Sequence, residues 1–340
     1  MDKPNETTSP TTESVAPPFG RARESLRKND LAAELSAGKD FIDEGLPEAV
    51  KPPYIITKEL EAAVDVAVAL QVPLLVAGEP GTGKSELART VAYHLGLPKP
   101  LRFDAKTGST AQDLFYRYNS LRRFLEAQLK DPNAADAQNY IDFEALGKAI
   151  VLAMRPQSRN ALHIPTELAT VPQRRSVVLI DEIDKAPRDF PNDILNEIDR
   201  MEFKVAETGK VFRAPTTHRP VVILTSNRER VLPAPFLRRC VFHFIRFPDK
   251  ETLEKILRVH KTGAGISDAA ISHVLRIRDM KPNQPPGTAE LIQWVRLLEE
   301  WGIHADEITT PGPRLVQTYG ILLKHQEDIE RVTLAFHLSK

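Results

Sequence analysis

VPLLVAGEPGTGKS, residues 72–85, decides the fold of this chain. An apolar run from Val72 to Ala77 leads into a glycine-rich turn that ends in Lys84 and Ser85, and the following ELARTVAY has apolar residues at helical spacing. Strand, loop and helix in this order are the setting of a phosphate-binding loop, where backbone N–H groups and the start of the helix face the phosphates. We therefore predict a nucleotide site whose binding residues are Gly78, Glu79, Pro80, Gly81, Thr82, Gly83, Lys84, Ser85 and Glu86.

Two side chains at the end of this loop carry its predicted chemistry. Lys84 can reach the β- and γ-phosphates, and the Ser85 hydroxyl can ligate Mg²⁺. The alternative is a simple glycine and proline turn that closes a strand. The fixed positions of the motif match by chance in on the order of 1% of chains of this length, which favours the nucleotide site.

Two further apolar runs end in polar residues, SVVLIDEID at 176–184 and PVVILTSN at 220–227. Unbroken apolar strands indicate a parallel sheet covered by helices on both faces, and ligands bind at the carboxyl edge of such a sheet. At that edge Asp181 can hold Mg²⁺, Glu182 can deprotonate an attacking water, and Asn227 can fix that water. The alternatives are a polar turn for the acidic pair and a capping role for Asn227.

The composition excludes several classes of function. Lys plus Arg and Asp plus Glu both number 46, so no charge excess favours direct binding to nucleic acid or to an anionic membrane. The chain has no apolar run near the roughly 20 residues that span a bilayer, and no apolar leader at its N-terminus. Cys240, the single cysteine, excludes an intrachain disulfide and suits a reducing compartment. We expect a cytoplasmic protein that does not contact a membrane.

The order of elements divides the chain into three predicted parts. We expect residues 1–50 to be disordered or weakly ordered, 51–248 to form the nucleotide-binding α/β core, and 249–340 to be helical. Within the core and the helical part, the patterns predict helices at 57–70, about 121–130, 141–154, 249–262, 266–279 and 287–302, a helix with Pro191 near its start, a strand at 100–103, a hairpin at about 203–214, and loops at 156–175 and 307–315.

Residues 55–300 resemble the AAA+ superfamily, and within it the MoxR-like ATPases and their dynein-related relatives. GEPGTGKS is similar to the Walker A motif of the family, VVLIDEID to Walker B, and LTSN to the strand that carries sensor 1. LPAPFLRRC resembles the family's arginine-finger segment: Arg239 fills the finger place, Arg238 is the next candidate, and Cys240 stands where an aromatic residue is usual.

The resemblance implies a P-loop NTPase fold, with an αβα core on a parallel sheet and a C-terminal helical lid. It implies ATP and Mg²⁺ as ligands and a homo-oligomeric ring, expected to be hexameric, in which Arg239 acts on the neighbour's γ-phosphate. MoxR-like proteins often work with a von Willebrand factor A-domain partner. The leading hypothesis is therefore an ATP-driven machine that remodels a partner protein. The alternatives are the motor subunit of a nucleic-acid-processing complex and a small-molecule P-loop kinase.

Two features depart from the family pattern. Relatives commonly carry a sensor 2 arginine at the start of a lid helix, and this chain has Ala289 in that place. Either another basic residue substitutes for that arginine or the lid is coupled to the nucleotide more weakly. The stretch 104–175 is also longer than a minimal core requires, and we expect it to hold elements that face a substrate.

Overall fold

The fold is organised around a five-stranded parallel sheet in the computed structural model, which describes residues 18–26 and 52–337. The strands run in the order β2-β5-β8-β1-β9. Their bounds are Leu74–Gly78 (β1), Leu101–Asp104 (β2), Val177–Asp181 (β5), Val221–Ser226 (β8) and Val241–Ile245 (β9). The strand of the phosphate-binding loop thus lies between β8 and β9, and every neighbouring pair is parallel.

The three central strands, β1, β5 and β8, are buried on both faces, as their unbroken apolar runs predict. Along β5 the alternate residues Val178 and Ile180 pack on one face and Val177 and Leu179 on the other. The second face is covered by Gly20–Leu26 (α1), Lys58–Leu70 (α2) and Lys84–Leu95 (α3). The core is therefore an αβα sandwich on a parallel sheet, as the sequence predicts.

Helix α1 lies within the segment that we expected to be weakly ordered. Its start is held by α2, because the Glu61 carboxylate accepts from the Phe19 N–H at 2.9 Å and Asp65 accepts from the Ala22 N–H at 2.8 Å. Burial raises the pKa of Asp65. The rest of that expectation concerns residues 1–17 and 27–50, which lie outside the described residues.

The first face of the sheet is covered by the long segment that follows β2. It contains Tyr116–Tyr118 (β3), Ser120–Gln128 (α4), Ile141–Phe143 (β4), Ala145–Ala153 (α5), Pro156–Ala161 (α6) and Thr166–Ala169 (α7). The predicted helix at 141–154 was wrong in its first turn, where Ile141 and Phe143 alternate with Asp142 and pair with β3. The predicted loop at 156–175 was also wrong in part, because Pro156 occupies the first turn of α6, where a missing N–H costs nothing.

Helix α4 packs with its polar side inward. Arg123 donates to the Tyr118 hydroxyl at 2.9 Å and to the Ala134 carbonyl at 3.1 Å, and Glu126 accepts from the Tyr140 hydroxyl. The apolar side chains Leu121, Phe124, Leu125 and Leu129 are each more than half exposed. This apolar outer face of α4 (Leu121, Phe124, Leu125 and Leu129) is the reverse of the usual arrangement for a surface helix.

Between β5 and β8 the chain forms a broken helix and a hairpin. Phe190–Asp193 (α8) and Leu195–Arg200 (α9) are separated at Ile194, so the single predicted helix was wrong in its continuity. The predicted hairpin is confirmed: Glu202–Lys204 (β6) pairs antiparallel with Val211–Arg213 (β7). Ala234–Leu237 (α10) then leads into β9.

The chain after β9 is helical and has its own core around the buried Trp294. Its helices are Lys250–Val259 (α11), Ser267–Asp279 (α12), Thr288–Glu300 (α13), Ala305–Thr309 (α14), Pro313–Val316 (α15), Tyr319–Leu322 (α16) and Gln326–His337 (α17). The predicted loop at 307–315 was wrong in part: residues 310–312 are a loop, but α14 extends to Thr309 and Pro313 again stands at the start of a short helix. Short 3₁₀ turns complete the described chain at Gln112–Leu114, Pro132–Ala135, Ala137–Tyr140, Ile183–Lys185 and Thr216–His218.

None of the helices in the described part of the chain has the length and apolar character that crossing a bilayer requires.

Candidate functional site

The loop between β1 and α3 has the backbone shape that phosphate binding requires. Gly81 and Gly83 have φ of 76° and 83°, a conformation that glycine adopts without strain. A Cβ on Gly78 would lie 2.7 Å from the Ile245 carbonyl oxygen, so the loop leaves no room for a side chain there. The N-terminus of α3 follows directly at Lys84, so the positive end of the helix dipole faces the loop.

Lys84 is folded over the loop. Its Nζ donates to the Gly78 carbonyl at 3.0 Å and to the Glu79 carbonyl at 2.8 Å, and the residue is 6% exposed. Burial lowers the pKa of this amine, while the carboxylates of Asp181 and Asp184 act in the opposite direction. Two carbonyl oxygens are weaker partners for an ammonium group than phosphate oxygens, so this lysine is available to an entering phosphate.

Asp181 is at the carboxyl end of β5, beside the loop. Its Oδ1 accepts from Ser85 Oγ at 2.8 Å and from Thr225 Oγ1 at 2.5 Å, and its Oδ2 pairs with Arg102 Nη2 at 2.9 Å. A hydroxyl and a carboxylate side by side form a hard oxygen donor set, which fits Mg²⁺. Among the described residues no group of three or more His, Cys, Asp or Glu could hold a metal. Mg²⁺ does not need one, since it binds nucleotide sites through one or two protein oxygens and keeps several waters.

Glu182 extends from the same strand end, and both oxygens of its carboxylate have partners. Asn227 Nδ2 donates to Oε1 at 2.9 Å, and Lys185 Nζ donates to Oε2 at 2.6 Å. The backbone of Glu182 is in the left-handed region, with φ of 54°, and its N–H donates to Thr225 Oγ1 at 2.8 Å. The side chains of Glu182 and Lys185 are both partly exposed. The hydrogen bond to the Glu182 carboxylate raises the pKa of Lys185.

The structure therefore brings three stretches of the chain together: the phosphate-binding loop, the adjacent residues Asp181 and Glu182, and Asn227. These stretches lie far apart in the sequence. β5 and β8 are adjacent, with Ile180 opposite Leu224, so the strand ends that carry them meet at one edge of the sheet. The other loop residues predicted to bind nucleotide are Pro80, Thr82 and Glu86. Thr82 Oγ1 donates to the Glu79 carbonyl at 2.8 Å, and Glu86 pairs with Arg89 in the next turn.

Arg239 is not part of this cluster. It precedes the amino end of β9, which is paired in parallel with β1, whereas the phosphate-binding loop follows the carboxyl end of β1. Its guanidinium pairs with Asp199 at 2.7 Å, and the Arg239 side chain is 43% exposed. The neighbouring Arg238 is exposed too. Strands rise about 3.3 Å per residue, so Arg239 lies roughly 16 Å along the sheet from the loop of its own chain.

The start of α13 touches the phosphate-binding loop. The Ala289 N–H donates to the Gly81 carbonyl at 3.2 Å. This is the place where relatives carry a sensor 2 arginine, and the methyl group here offers no contact to a phosphate.

Sequence reasoning missed three contacts of the site, those of Arg102, Lys185 and Thr225. Lys185 is three residues after Glu182 and could have been found from the spacing of a helical turn. Thr225 could have been found from the pairing of β5 with β8, which places it beside Asp181. Arg102 reaches Asp181 across 79 residues of sequence, and no local pattern indicates that contact.

Residues 73–240 match the family described as AAA domain (dynein-related subfamily). No curated protein sequence matches the chain. Among solved structures, a single-substitution variant of Thermotoga maritima RuvB is similar at 16% identity with a TM-score of 0.43, over 78% of this chain and 67% of that chain.

Proposed function

We propose that this ATP hydrolase, whose residues 73–240 match the AAA domain family (dynein-related subfamily), works as a MoxR-like ring in which ATP hydrolysis remodels a partner protein. Each of its nucleotide sites would be completed by Arg239 from a neighbouring subunit. The observation that carries this proposal is the separation of Arg239 from the catalytic cluster of its own chain, together with its exposure at the surface.

The residues of the chain's own site have distinct roles in this proposal. Lys84 leaves the two loop carbonyls and binds phosphate oxygens, while Ser85 and Asp181 hold Mg²⁺, which neutralises phosphate charge when bound. Glu182 accepts a proton from the attacking water, and Asn227 orients that water and the carboxylate together. Each oxygen of this carboxylate accepts one hydrogen bond and keeps a second lone pair, which is where Glu182 would take that proton.

The effect of an arginine finger on the rate of hydrolysis has a known magnitude. Arginine fingers that stabilise charge on the γ-phosphoryl oxygens accelerate hydrolysis by about 10³–10⁵-fold in other nucleotide hydrolases. We therefore expect Arg239→Ala to reduce kcat by at least about 10³-fold while ATP still binds.

The test is the steady-state ATPase rate measured against protein concentration for the wild type, Arg239→Ala and Asp199→Asn. Specific activity should rise with concentration as rings assemble and should be lost in Arg239→Ala. Asp199→Asn is the matched control, since it removes the same ion pair and keeps the arginine. A specific activity that is independent of concentration and unaffected by Arg239→Ala would refute the ring mechanism.

The apolar outer face of α4 supports a protein as the substrate or partner. Three exposed apolar side chains on α4 and a fourth, Leu129, directly after its last residue exceed what a solvent-facing surface usually carries, and a small-molecule kinase has no need of them. The resemblance to MoxR-like proteins makes a von Willebrand factor A-domain protein the first partner to test. Its addition should stimulate the ATPase rate of the wild type.

Variants on this face test whether it contacts the partner. Leu121→Ser combined with Phe124→Ser should remove the stimulation and leave the unstimulated rate unchanged, because the hydrogen bonds described for α4 join it to Tyr118, Ala134 and Tyr140 and not to the catalytic cluster. Gln128→Ser, an exposed polar change on the same helix, is the control and should retain the stimulation. Stimulation that survives the double change would contradict a role for this face.

A further inference from the structure

Arg278 links the helical part of the chain to the phosphate-binding loop. Its Nη2 donates to Glu79 Oε2 at 2.6 Å and its Nη1 donates to the Pro286 carbonyl at 2.6 Å. The guanidinium carbon also lies 3.6 Å from the centroid of the Phe247 ring. The Arg278 side chain is only 14% exposed. One side chain at the end of α12 therefore contacts the loop after β1, the loop before α13 and the connection between β9 and α11.

The guanidinium is held in a fixed orientation by these contacts. Its planar face lies on an aromatic ring and two of its nitrogens are bonded to oxygens, so few rotamers remain open to it. Glu79 is the more exposed partner, with its side chain 42% exposed. A change in the loop that displaces Glu79 therefore acts on a rigid arginine.

Backbone packing beside this pair is tight. A Cβ on Gly287 would lie 2.7 Å from the Pro80 carbonyl oxygen and 3.3 Å from Gly81 Cα. The Ala289 N–H also bonds to the Gly81 carbonyl. The loop before α13 thus touches the phosphate-binding loop without room to slide, and the two segments must move together.

We propose that the Glu79–Arg278 pair couples the helical region to the nucleotide, in the place of the arginine that Ala289 replaces. Arg278 is a positioning residue: it acts through Glu79 and the phosphate-binding loop, and the start of α13 moves together with the loop when nucleotide binds. The inference rests on the proposed binding and hydrolysis of ATP at this loop, and it adds the route by which that event reaches α12 and α13.

Two variants break the pair in different ways. Arg278→Met keeps the aliphatic stem and removes the charge, whereas Glu79→Gln keeps the shape and removes the opposite charge. Loss of one partly exposed charge-assisted bond should raise the KM for ATP by about five- to tenfold and change kcat less. Because each change breaks the same contact, the double variant should be no worse than the more affected single variant.

Hydrogen exchange of residues 280–289, with and without a non-hydrolysable ATP analogue, measures the coupling itself. The analogue should protect this segment in the wild type and not in Arg278→Met. Arg276→Met is the matched control: Arg276 is on the same helix, and its guanidinium carbon lies 4.3 Å from the centroid of the Phe336 ring in the helical region. It should keep both the protection and the wild-type KM.

The reversed pair, Glu79→Arg with Arg278→Glu, separates a specific contact from general damage to the fold. Compared with Glu79→Arg alone and Arg278→Glu alone, the reversed pair should partly recover the protection and the wild-type KM, which supports the coupling. Additive effects of Glu79→Gln and Arg278→Met on KM, or protection that persists in Arg278→Met, would overturn the coupling. If the wild type itself fails to bind Mg²⁺–ATP, the proposed function fails; if Lys84→Ala abolishes binding and Arg278→Met leaves everything unchanged, only the coupling fails.

Discussion

Thr225 should be indispensable for the site although it contacts no substrate. It is fully buried, and its hydroxyl donates to Asp181 Oδ1 and accepts the Glu182 N–H. Thr225→Val replaces the hydroxyl by a methyl group of nearly the same size. The change therefore removes two hydrogen bonds and creates no cavity, so its effect isolates the polar contacts.

The magnitude follows from what is left unpaired. A bond to a charged group contributes about 1.5–3 kcal/mol, and a buried donor without a partner costs about 1–3 kcal/mol. In Thr225→Val, Asp181 still accepts the hydrogen bond from Ser85, so the free energy lost at this carboxylate is smaller than if it had no partner. We expect the free energy of unfolding to fall by roughly 2–4 kcal/mol. We also expect kcat to fall at least about tenfold, because Glu182 is in a left-handed conformation that its N–H bond helps to hold.

Denaturant unfolding and steady-state ATPase assays on the wild type, Thr225→Val and Thr225→Ser measure both effects. Thr225→Ser retains the hydroxyl and should stay within about 1.5 kcal/mol of the wild type with kcat largely intact. A Thr225→Val variant that unfolds within about 0.5 kcal/mol of the wild type and turns over at the same rate would refute the reasoning.

Three other perturbations have defined outcomes. Gly83→Ala should cost roughly 1–2 kcal/mol of stability, because a residue with a Cβ is strained at that positive φ. It should also weaken ATP binding in titration calorimetry, because the new Cβ would lie 3.0 Å from Tyr54 Cε2. Unchanged stability and affinity would contradict this. Burial lowers the pKa of His273 to about 4, so the unfolded chain binds the proton first as the pH falls. Stability should then be lost between about pH 6.5 and pH 4, by roughly 3 kcal/mol at most, and His273→Gln should flatten that loss in unfolding measured against pH. DNA and RNA should leave the ATPase rate unchanged at low salt, given equal numbers of basic and acidic residues; a salt-sensitive stimulation would instead favour a nucleic-acid motor.

The sheet and the cluster at its edge could be predicted because they depend on local patterns. Three apolar runs, each ended by polar residues, are sufficient to predict parallel strands, and the carboxyl ends of such strands meet at one edge. The convergence of Lys84, Asp181 and Asn227 follows from that rule alone. The hairpin of β6 and β7 was equally accessible, from a turn between two short strand-like runs.

The missed elements depend on contacts between distant residues or on the start of a short helix. Arg102 and Arg278 act through partners 79 and 199 residues away, so no spacing in the sequence indicates them. Pro156 and Pro313 were taken as loop residues, although a proline also suits the first turn of a helix. The inverted packing of α4 was hidden for a similar reason, because the hydrophobic period gives a helix but not the side that faces outward.

Mixing two inactive variants tests most directly whether a neighbouring chain completes each site. Lys84→Ala should lack its own nucleotide site and still supply Arg239, whereas Arg239→Ala should bind ATP and lack the arginine that its neighbour needs. In a head-to-tail ring mixed at equal amounts, one site in four pairs an intact loop with an intact arginine, so about a quarter of the wild-type ATPase rate should return. A mixture that stays as inactive as its components, while forming the same rings, would contradict the role of Arg239 in the neighbour's site.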